Sequence, residues 1–401
     1  MNQAHERPPV RLTRLIPALG VAQIISWGSL FYAIAVLGEA MRTELGISAT
    51  WLFGAFTVGL LASGIVSPAV GRLVDTRGGS LVLSWGSLLG AAALAILASA
   101  QGYASLFAGW TLAGVAMAAC LYDPAFATLH QLAGNAYRRA VTALTLFGGF
   151  ASTVFWPLSQ WLQDIVGWRD TLWIYAALHL VVCLPLHAWF VPGYSRADDS
   201  GDGVDPQRPA LVPDSVPRSA EGAAYYALAA AFAAAAFLSA TLSAHLITLL
   251  KSSGLGVRDA VLVSSLIGPM QVAGRIAEFS FARRLSATSA GAVAFGLMTA
   301  GLSCLAFVDG LSAVAFAFAV LYGWSNGVMT IVRGTVPAAL FGRRNYGALL
   351  GRLAFPAFVA KAIAPVAFTW LIAAGLAQVS ALWVLVLVSI VAFAGYRWAV
   401  R

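Results

Sequence analysis

Two basic residues of this 401-residue chain, Arg275 and Lys361, lie inside long apolar stretches. The chain is 60% hydrophobic and only 10% charged, so a cation at such a place is unusual. A charge at the centre of a bilayer costs about 2.5–3.5 kcal/mol on insertion scales, and such charges commonly mark substrate or ion pathways. The pair therefore indicates a pathway for an anion.

The two cations suit different contacts with an anion. The guanidinium of Arg275 can hold a carboxylate through two parallel hydrogen bonds. It lies about 9 Å from the middle of its stretch, and the alternative is an ion pair with Glu278 on the same helix face. Lys361 lies near the middle of its stretch, where its stem cannot easily reach either surface. We interpret it as a second contact to the anion; the alternative is a pair with Asp123.

Asp123 is a carboxylate within an apolar stretch, and we predict it as the proton-coupling residue. The alternative is a fixed counter-ion to Arg333, Arg352 or Lys361. His245 can titrate near neutral pH, although a lone histidine in a helix is more often a packing residue. The other predicted substrate-binding residues are polar or aromatic side chains of the same stretches: Gln271, Tyr122, Trp27 and Tyr32.

Twelve apolar stretches carry these residues, with short polar breaks between them. Each is about 20 residues long, enough for a helix to cross the hydrocarbon layer of about 30 Å. A barrel would need strands of about 10 residues with alternating polarity. We therefore predict an all-α integral membrane protein. Its spans lie near 16–38, 49–70, 81–100, 105–131, 140–162, 171–190, 223–250, 260–281, 289–308, 313–338, 347–373 and 380–397.

The net charge of +8 is concentrated on one side of the predicted membrane. If the spans alternate in direction, one side carries Arg7, Arg11, Arg14, Arg72, Arg77, Arg138, Arg139, Arg283, Arg284, Arg343, Arg344, Arg397 and Arg401. The other side carries only Arg42, Arg169, Lys251 and Arg258. This positive-inside pattern predicts cytoplasmic termini in a bacterial inner membrane, and it explains the charge without nucleic acid as a partner.

A polar segment at 193–222 divides the chain into two halves of six spans each. It holds prolines and acidic residues and few large apolar ones, so we predict a flexible cytoplasmic linker between halves at 1–192 and 223–401. At an offset of 208, Phe147, Phe150, Pro157 and Gly102 recur as Phe355, Phe358, Pro365 and Gly310. This offset pairs Arg275 with Ser67 and Lys361 with Thr153, which are neutral.

A second offset competes with the first. Gly71-Arg72-Leu73-Val74-Asp75 is similar to Gly274-Arg275-Ile276-Ala277-Glu278 at an offset of 203. That register would move Arg275 into a cytoplasmic loop. We favour 208, because it also relates the third and fourth spans to the ninth and tenth.

The loop after the second span resembles a motif of the major facilitator superfamily. Gly71, Leu73, Asp75 and Gly78 match it, whereas Gly79 and Ser80 replace its usual basic residues. With the twelve spans, the resemblance covers nearly the whole chain. It implies two six-helix halves that rock about a substrate site near the midplane. We expect Gly71, Asp75, Arg77 and Gly78, with Arg352, to form a cytoplasmic gate; the alternative is solvated loop charge.

Within that superfamily the chain resembles the monocarboxylate-transporter and oxalate/formate-antiporter branch. The resemblance rests on Gln271-Val272-Ala273-Gly274-Arg275, on Lys361, on Tyr137-Arg138-Arg139-Ala140 and on Gly167-Trp168-Arg169. An acidic residue that the branch has in its first helix is missing near Ser26-Trp27-Gly28, and Gln271 stands where animal members often have aspartate. The glycine-proline motif of drug/proton antiporters is missing at Phe155-Trp156-Pro157-Leu158.

The sequence therefore predicts a secondary active transporter of a small organic anion, a carboxylate in our interpretation. The alternatives are a drug or metalloid exporter of the same superfamily and a non-transporting membrane sensor or scaffold. No phosphate-binding loop, zinc pattern or nucleophile motif is present, so we predict no enzyme activity and no cofactor. The expected partners are the anion, a proton or counter-anion and the bilayer, and we expect a monomer.

Overall fold

A computed structural model describes residues 11–193, 218–281, 284–310, 312–342 and 345–401. Most of the predicted linker lies outside these residues, as do Arg7, Arg283, Arg343 and Arg344. We call residues 11–193 the first half and residues 218–401 the second half.

The described residues fold almost entirely into helices. In the first half these are α1 (Leu12–Ser26), a π-helical segment (Trp27–Tyr32), α2 (Ile34–Glu44), α3 (Ala49–Arg77), α4 (Gly79–Ala98), α5 (Tyr103–Cys120), α6 (Tyr122–Ala133), α7 (Tyr137–Gly149), α8 (Ala151–Leu178), a second π-helical segment (His179–Cys183) and α9 (Leu184–Phe190). In the second half they are α10 (Arg218–Ser252), α11 (Val257–Phe281), α12 (Ala287–Ala306), α13 (Ser312–Phe341), α14 (Tyr346–Ala373) and α15 (Gln378–Ala399).

The predicted all-α membrane fold is confirmed. Ten segments of the described chain are long and apolar enough to cross a membrane, and nine of them each coincide with one predicted span. The tenth, Tyr103–Phe190, has 88 residues and contains the other three spans. It is interrupted at Gly134 (φ 49°) and Gly167 (φ 80°), where the backbone enters the region that glycine adopts at little cost.

Two predicted spans are less regular than the sequence indicated. The fourth is broken at Leu121, whose extended backbone separates α5 from α6. Pro124 follows in the first turn of α6, where its missing N–H is tolerated. The fifth is broken at Phe150, directly after Gly148 and Gly149 at the end of α7. Glycine is a weak helix former, so the pair weakens the helix where it breaks.

The positions of the helices agree with the repeat at an offset of 208. The same offset relates both ends of α4 to both ends of α12, and the start of α3 to the start of α11. Three pairs of left-handed glycines also follow it: Gly46 and Gly254, Gly134 and Gly342, and Gly167 and Gly375. None of these helix ends or glycines would coincide at an offset of 203. The two halves of the fold are therefore related by an offset of 208.

Several helix pairs join the halves; α6 packs against α14, α7 packs against α13, and two further pairs are related by the repeat. The α3 helix of the first half packs along α14, and α7 packs against α11. Both pairs meet near Arg77 at the end of α3 and Arg138 at the start of α7. We call this end of the bundle the basic end, and it is the end that the charge pattern assigns to the cytoplasm.

Candidate functional site

Arg275 lies on α11 between the two halves. Gly274 and Gly327 let α11 and α13 approach so closely that a Cβ on either glycine would collide with the facing backbone. This packing turns Arg275 toward α7 of the first half, where its guanidinium rests against Gly149. Arg275 is 6% exposed, and its buried Nε has no hydrogen-bond partner among the residues that the structure describes.

The alternative ion pair of Arg275 with Glu278 is wrong. Glu278 is bound across the halves by the first half instead. Arg138 donates to its Oε1 from Nη2 at 2.7 Å, and Thr142 donates to its Oε2 at 2.8 Å. The carboxylate nearest to Arg275 in sequence is therefore already used, which leaves the guanidinium for another partner.

Three aromatic residues predicted for the site are brought together beside Arg275. The π-helical segment places Trp27 with its ring 5.2 Å from the ring of Tyr122 and 6.1 Å from that of Tyr32. π-helical turns occur frequently at functional sites. The hydroxyl of Tyr122 lies over Gly148 and the guanidinium of Arg275 over the next residue, Gly149. Among the described residues, the buried hydroxyl of Tyr122 has no hydrogen-bond partner. We call Trp27, Phe31, Tyr32 and Tyr122 the aromatic cluster.

Lys361 on α14 reaches the aromatic cluster from the second half. Its ammonium nitrogen lies 5.9 Å from the ring centre of Phe31 and 5.8 Å from that of Phe358, within the range of cation–π attraction. Within the described chain it has no ion pair or hydrogen bond, so its predicted alternative pair with Asp123 is not formed. Phe31 in turn contacts Tyr32 at 5.3 Å, so both predicted cations border one cluster.

Asp123 is paired across the halves with Arg333 of α13. Oδ1 and Nη2 lie 3.9 Å apart, and the side chains are 22% and 27% exposed. Of the three counter-ions considered for Asp123, the structure selects Arg333. Arg333 was missing from the predicted site, although it too is a cation within an apolar stretch. The signal that identified Arg275 could have identified it.

His245 and Gln271, the other two predicted substrate-binding residues, have fewer contacts that indicate a role in the site. His245 Nε2 lies 3.1 Å from the carbonyl oxygen of Pro365, and its ring packs 5.0 Å from Phe368. This favours the packing role that was its alternative. Gln271 lies one turn before Arg275, and no hydrogen bond of its side chain is found in the described residues. Its role stays a prediction.

The predicted gate residues lie at the basic end, and two of them contact α14 directly. Asp75 accepts hydrogen bonds from the backbone N–H groups of Gly347 at 2.8 Å and Ala348 at 2.7 Å. Gly71 touches the carbonyl of Gly347, so a Cβ there would collide with backbone. Arg77 and Arg352 do not pair with Asp75; both are exposed, and Arg352 donates to Ala348 at 3.4 Å. Gly78 is buried, and with φ 83° it ends α3.

Sequence reasoning missed a tyrosine contact at the same end. The hydroxyls of Tyr137 and Tyr346 both donate to the carbonyl oxygen of Gly334, and the ring of His130 stacks on Tyr346 at 4.1 Å. Tyr137 and His130 belong to the first half, and the other two to the second. The 208 offset pairs Tyr137 with Asn345, so the repeat gave no signal for this contact.

The profile of the Major Facilitator Superfamily matches residues 19–315. This chain belongs to the major facilitator superfamily. It is therefore a multi-pass membrane transporter and not an enzyme. No curated protein sequence matches it significantly.

Solved structures of low sequence identity share the fold. The human organic anion transporter MFSD10 (TETRAN) superposes with a TM-score of 0.71 at 16% identity, over 98% of this chain and 100% of that one. The transporter FucP in its outward conformation gives 0.72 at 15% identity, over 96% and 98%. A variant of the E. coli fucose:proton symporter FucP gives 0.68 at 15% identity, over 96% and 98%. These likenesses establish the architecture of this superfamily member.

Proposed function

We propose that this superfamily member is a secondary active transporter of a small organic anion, a carboxylate, in the manner of the monocarboxylate and oxalate/formate branch. One observation carries the proposal. Arg275 is buried between the halves, and within the described part of the chain neither its Nε nor the neighbouring Tyr122 hydroxyl has a hydrogen-bond partner. Buried donors without partners cost free energy, so they favour a ligand that accepts hydrogen bonds.

The charges around the aromatic cluster also favour an anion. Arg275, Lys361 and Arg333 supply three positive charges, and Asp123 supplies one negative charge. An intramembrane excess of positive charge is costly unless a partner compensates it. A bound carboxylate reduces that excess and is attracted by all three cations. A cationic drug would be repelled, which disfavours the exporter alternative.

Asp123 is our candidate for coupling to a proton. Its separation of 3.9 Å from Arg333 is at the outer limit of an ion pair. A carboxylate held this loosely can exchange its counter-ion for a proton when the halves move. The alternative coupling mechanism is antiport, in which a counter-anion moves in the opposite direction. We retain the prediction that the transporter acts as a monomer without a cofactor.

The contacts at the basic end support an outward-facing state. Asp75 with α14 and Glu278 with α7 join the halves there, and the positive-inside pattern assigns that end to the cytoplasm. FucP, similar in fold, was solved in an outward conformation. We propose a bacterial inner-membrane protein in which rocking of the halves opens the basic end.

Uptake into proteoliposomes tests the proposal. Radiolabelled formate, acetate, lactate and oxalate are offered to the wild type, Arg275→Ala, Arg275→Lys and Lys361→Ala. We expect the initial rate to fall at least about tenfold in both alanine variants, the effect of losing one charge-assisted hydrogen bond of about 1.5–3 kcal/mol. Lysine should not restore Arg275, because it lacks the bidentate geometry.

The matched controls remove exposed cations of the same half. Lys251→Ala, at the end of α10, and Arg258→Ala, at the start of α11, should transport at the wild-type rate. Wild-type uptake by both Arg275→Ala and Lys361→Ala would refute the anion site. Expression that confers resistance to cationic drugs would favour the exporter instead, and a protein that moves none of these compounds would favour the sensor or scaffold.

A further inference from the structure

The glycine pair at the end of α7 accommodates two polar groups from other helices. A Cβ on Gly149 would collide with Nη1 of Arg275, and a Cβ on Gly148 would collide with the hydroxyl oxygen of Tyr122. Neither collision involves the α7 helix itself. The missing side chains thus leave space that a guanidinium and a phenol fill.

Close packing of helix backbones does not explain this pair. At Gly71 and Gly274 the facing atoms are backbone, as expected where small residues let two helices approach. At Gly149 the nearest atoms belong to the end of the Arg275 side chain. Arg275 is more than nine-tenths buried, and its Nε has no hydrogen-bond partner in the described chain. The space therefore serves a functional group rather than a helix contact.

We propose that Gly149 is a positioning residue for Arg275. Because residue 149 has no side chain, the end of α7 forms a seat that fixes the guanidinium between the halves, beside the Tyr122 hydroxyl. The seat sets the position from which Arg275 binds a carboxylate. This inference rests on the proposed anion site and adds a first-half residue that the sequence did not indicate.

The concentration of anion that gives half-maximal uptake tests the seat. A methyl group at residue 149 must push the guanidinium aside by more than an ångström, so Gly149→Ala should raise that concentration at least about tenfold for radiolabelled oxalate and acetate. Gly268→Ala is the matched control on α11, since a Cβ there meets nothing within 4 Å. It should leave the concentration unchanged.

A double-mutant cycle separates positioning from general damage to the fold. Arg275→Lys removes the nitrogen that the new methyl group would strike. If Gly149 acts through the guanidinium, adding Gly149→Ala to Arg275→Lys should raise the half-maximal concentration no further. An equal rise in both backgrounds, or wild-type behaviour of Gly149→Ala, would overturn the inference. If Gly149→Ala takes up anions like the wild type while Arg275→Ala is impaired, only the role of Gly149 is refuted. If both variants behave like the wild type, the anion site is refuted as well.

Discussion

Two of the helix pairs that join the halves are related by the repeat but are built differently. The 208 offset maps α3 onto α11 and α7 onto α14, so α3–α14 and α11–α7 are equivalent contacts. Along α3–α14 the helices touch through small residues, and a Cβ on Gly71, Gly347 or Gly351 would collide with backbone of the other helix. Along α11–α7 charged and polar side chains cross between the helices: Arg138 and Thr142 bind Glu278, and Arg275 lies against Gly149.

The difference separates two tasks of the transporter. Beyond its Asp75 end, the α3–α14 contact lies between backbones and has no charge to uncover, so that part of the pair can act as a close pivot. The α11–α7 pair carries Arg275 and Glu278, and opening it exposes or re-pairs these charges. We infer that movement at α11–α7 is the one that an anion can control, because an anion changes the cost of those charges.

Each pair nevertheless ends in a carboxylate at the basic end. Asp75 of α3 accepts from backbone N–H groups in the first turn of α14, where the helix dipole also favours a negative charge. Glu278 of α11 accepts from the side chains of Arg138 and Thr142 on α7. The two acids thus bind helices that the repeat relates. Asp75 binds the backbone of α14, and Glu278 binds side chains of α7.

A large side chain in the α3–α14 backbone contact should reduce stability more than the loss of either carboxylate charge. In Gly71→Leu the new side chain meets the carbonyl of Gly347, which cannot move without separating α3 from α14. We expect a loss of about 3 kcal/mol in unfolding free energy, the upper part of the range for overpacking. Thermal unfolding in detergent measures it. Gly54→Leu on the same helix is the control, since no atom lies within 4 Å of a Cβ there. Equal stability of both variants would contradict the close pivot.

Removing the charge of Glu278 in the α11–α7 contact should cause the second-largest loss of stability. Glu278→Gln leaves Arg138 beside a neutral amide, and the Glu278 side chain is only 3% exposed. Breaking a buried pair costs about 3–5 kcal/mol, which the 20% exposure of Arg138 reduces to about 2 kcal/mol. Unfolding of the detergent-solubilised protein measures the loss. Glu39→Gln, which breaks the exposed pair with Arg42, should leave stability unchanged. A wild-type midpoint for Glu278→Gln would mean that α11–α7 is not held by charge.

The sequence predicted the fold better than the pairing within the site. Hydrophobic runs of membrane length locate spans because the bilayer fixes that length. The cations and the aromatic residues Trp27, Tyr32 and Tyr122 were predicted as site residues from their positions in those runs, and their role stays a prediction. Spacing along one helix, however, proposed Glu278 as the partner of Arg275.

The actual partners depend on contacts between the halves. Arg138 forms an ion pair with Glu278 of the other half, and Arg333 does so with Asp123. Both pairs join residues far apart in sequence, so no local pattern could have selected them. The role of Gly149 was invisible for the same reason, because only the folded chain shows which side chain occupies the space above it.

Removing the charge of Asp75 should have the smallest effect of the three. Asp75→Asn keeps one oxygen that accepts from Gly347 or Ala348, but the amide nitrogen cannot accept from the other N–H. The loss of one charge-assisted hydrogen bond amounts to about 1.5 kcal/mol here, the lower end of its range, because Asp75 is only partly buried. The unfolding midpoint should therefore fall less than in Glu278→Gln, and Asp170→Asn, an exposed control, should not change it. If Asp75→Asn proved more damaging than Gly71→Leu, the α3–α14 pair would depend on its charge, and the distinction between the two helix pairs would be lost.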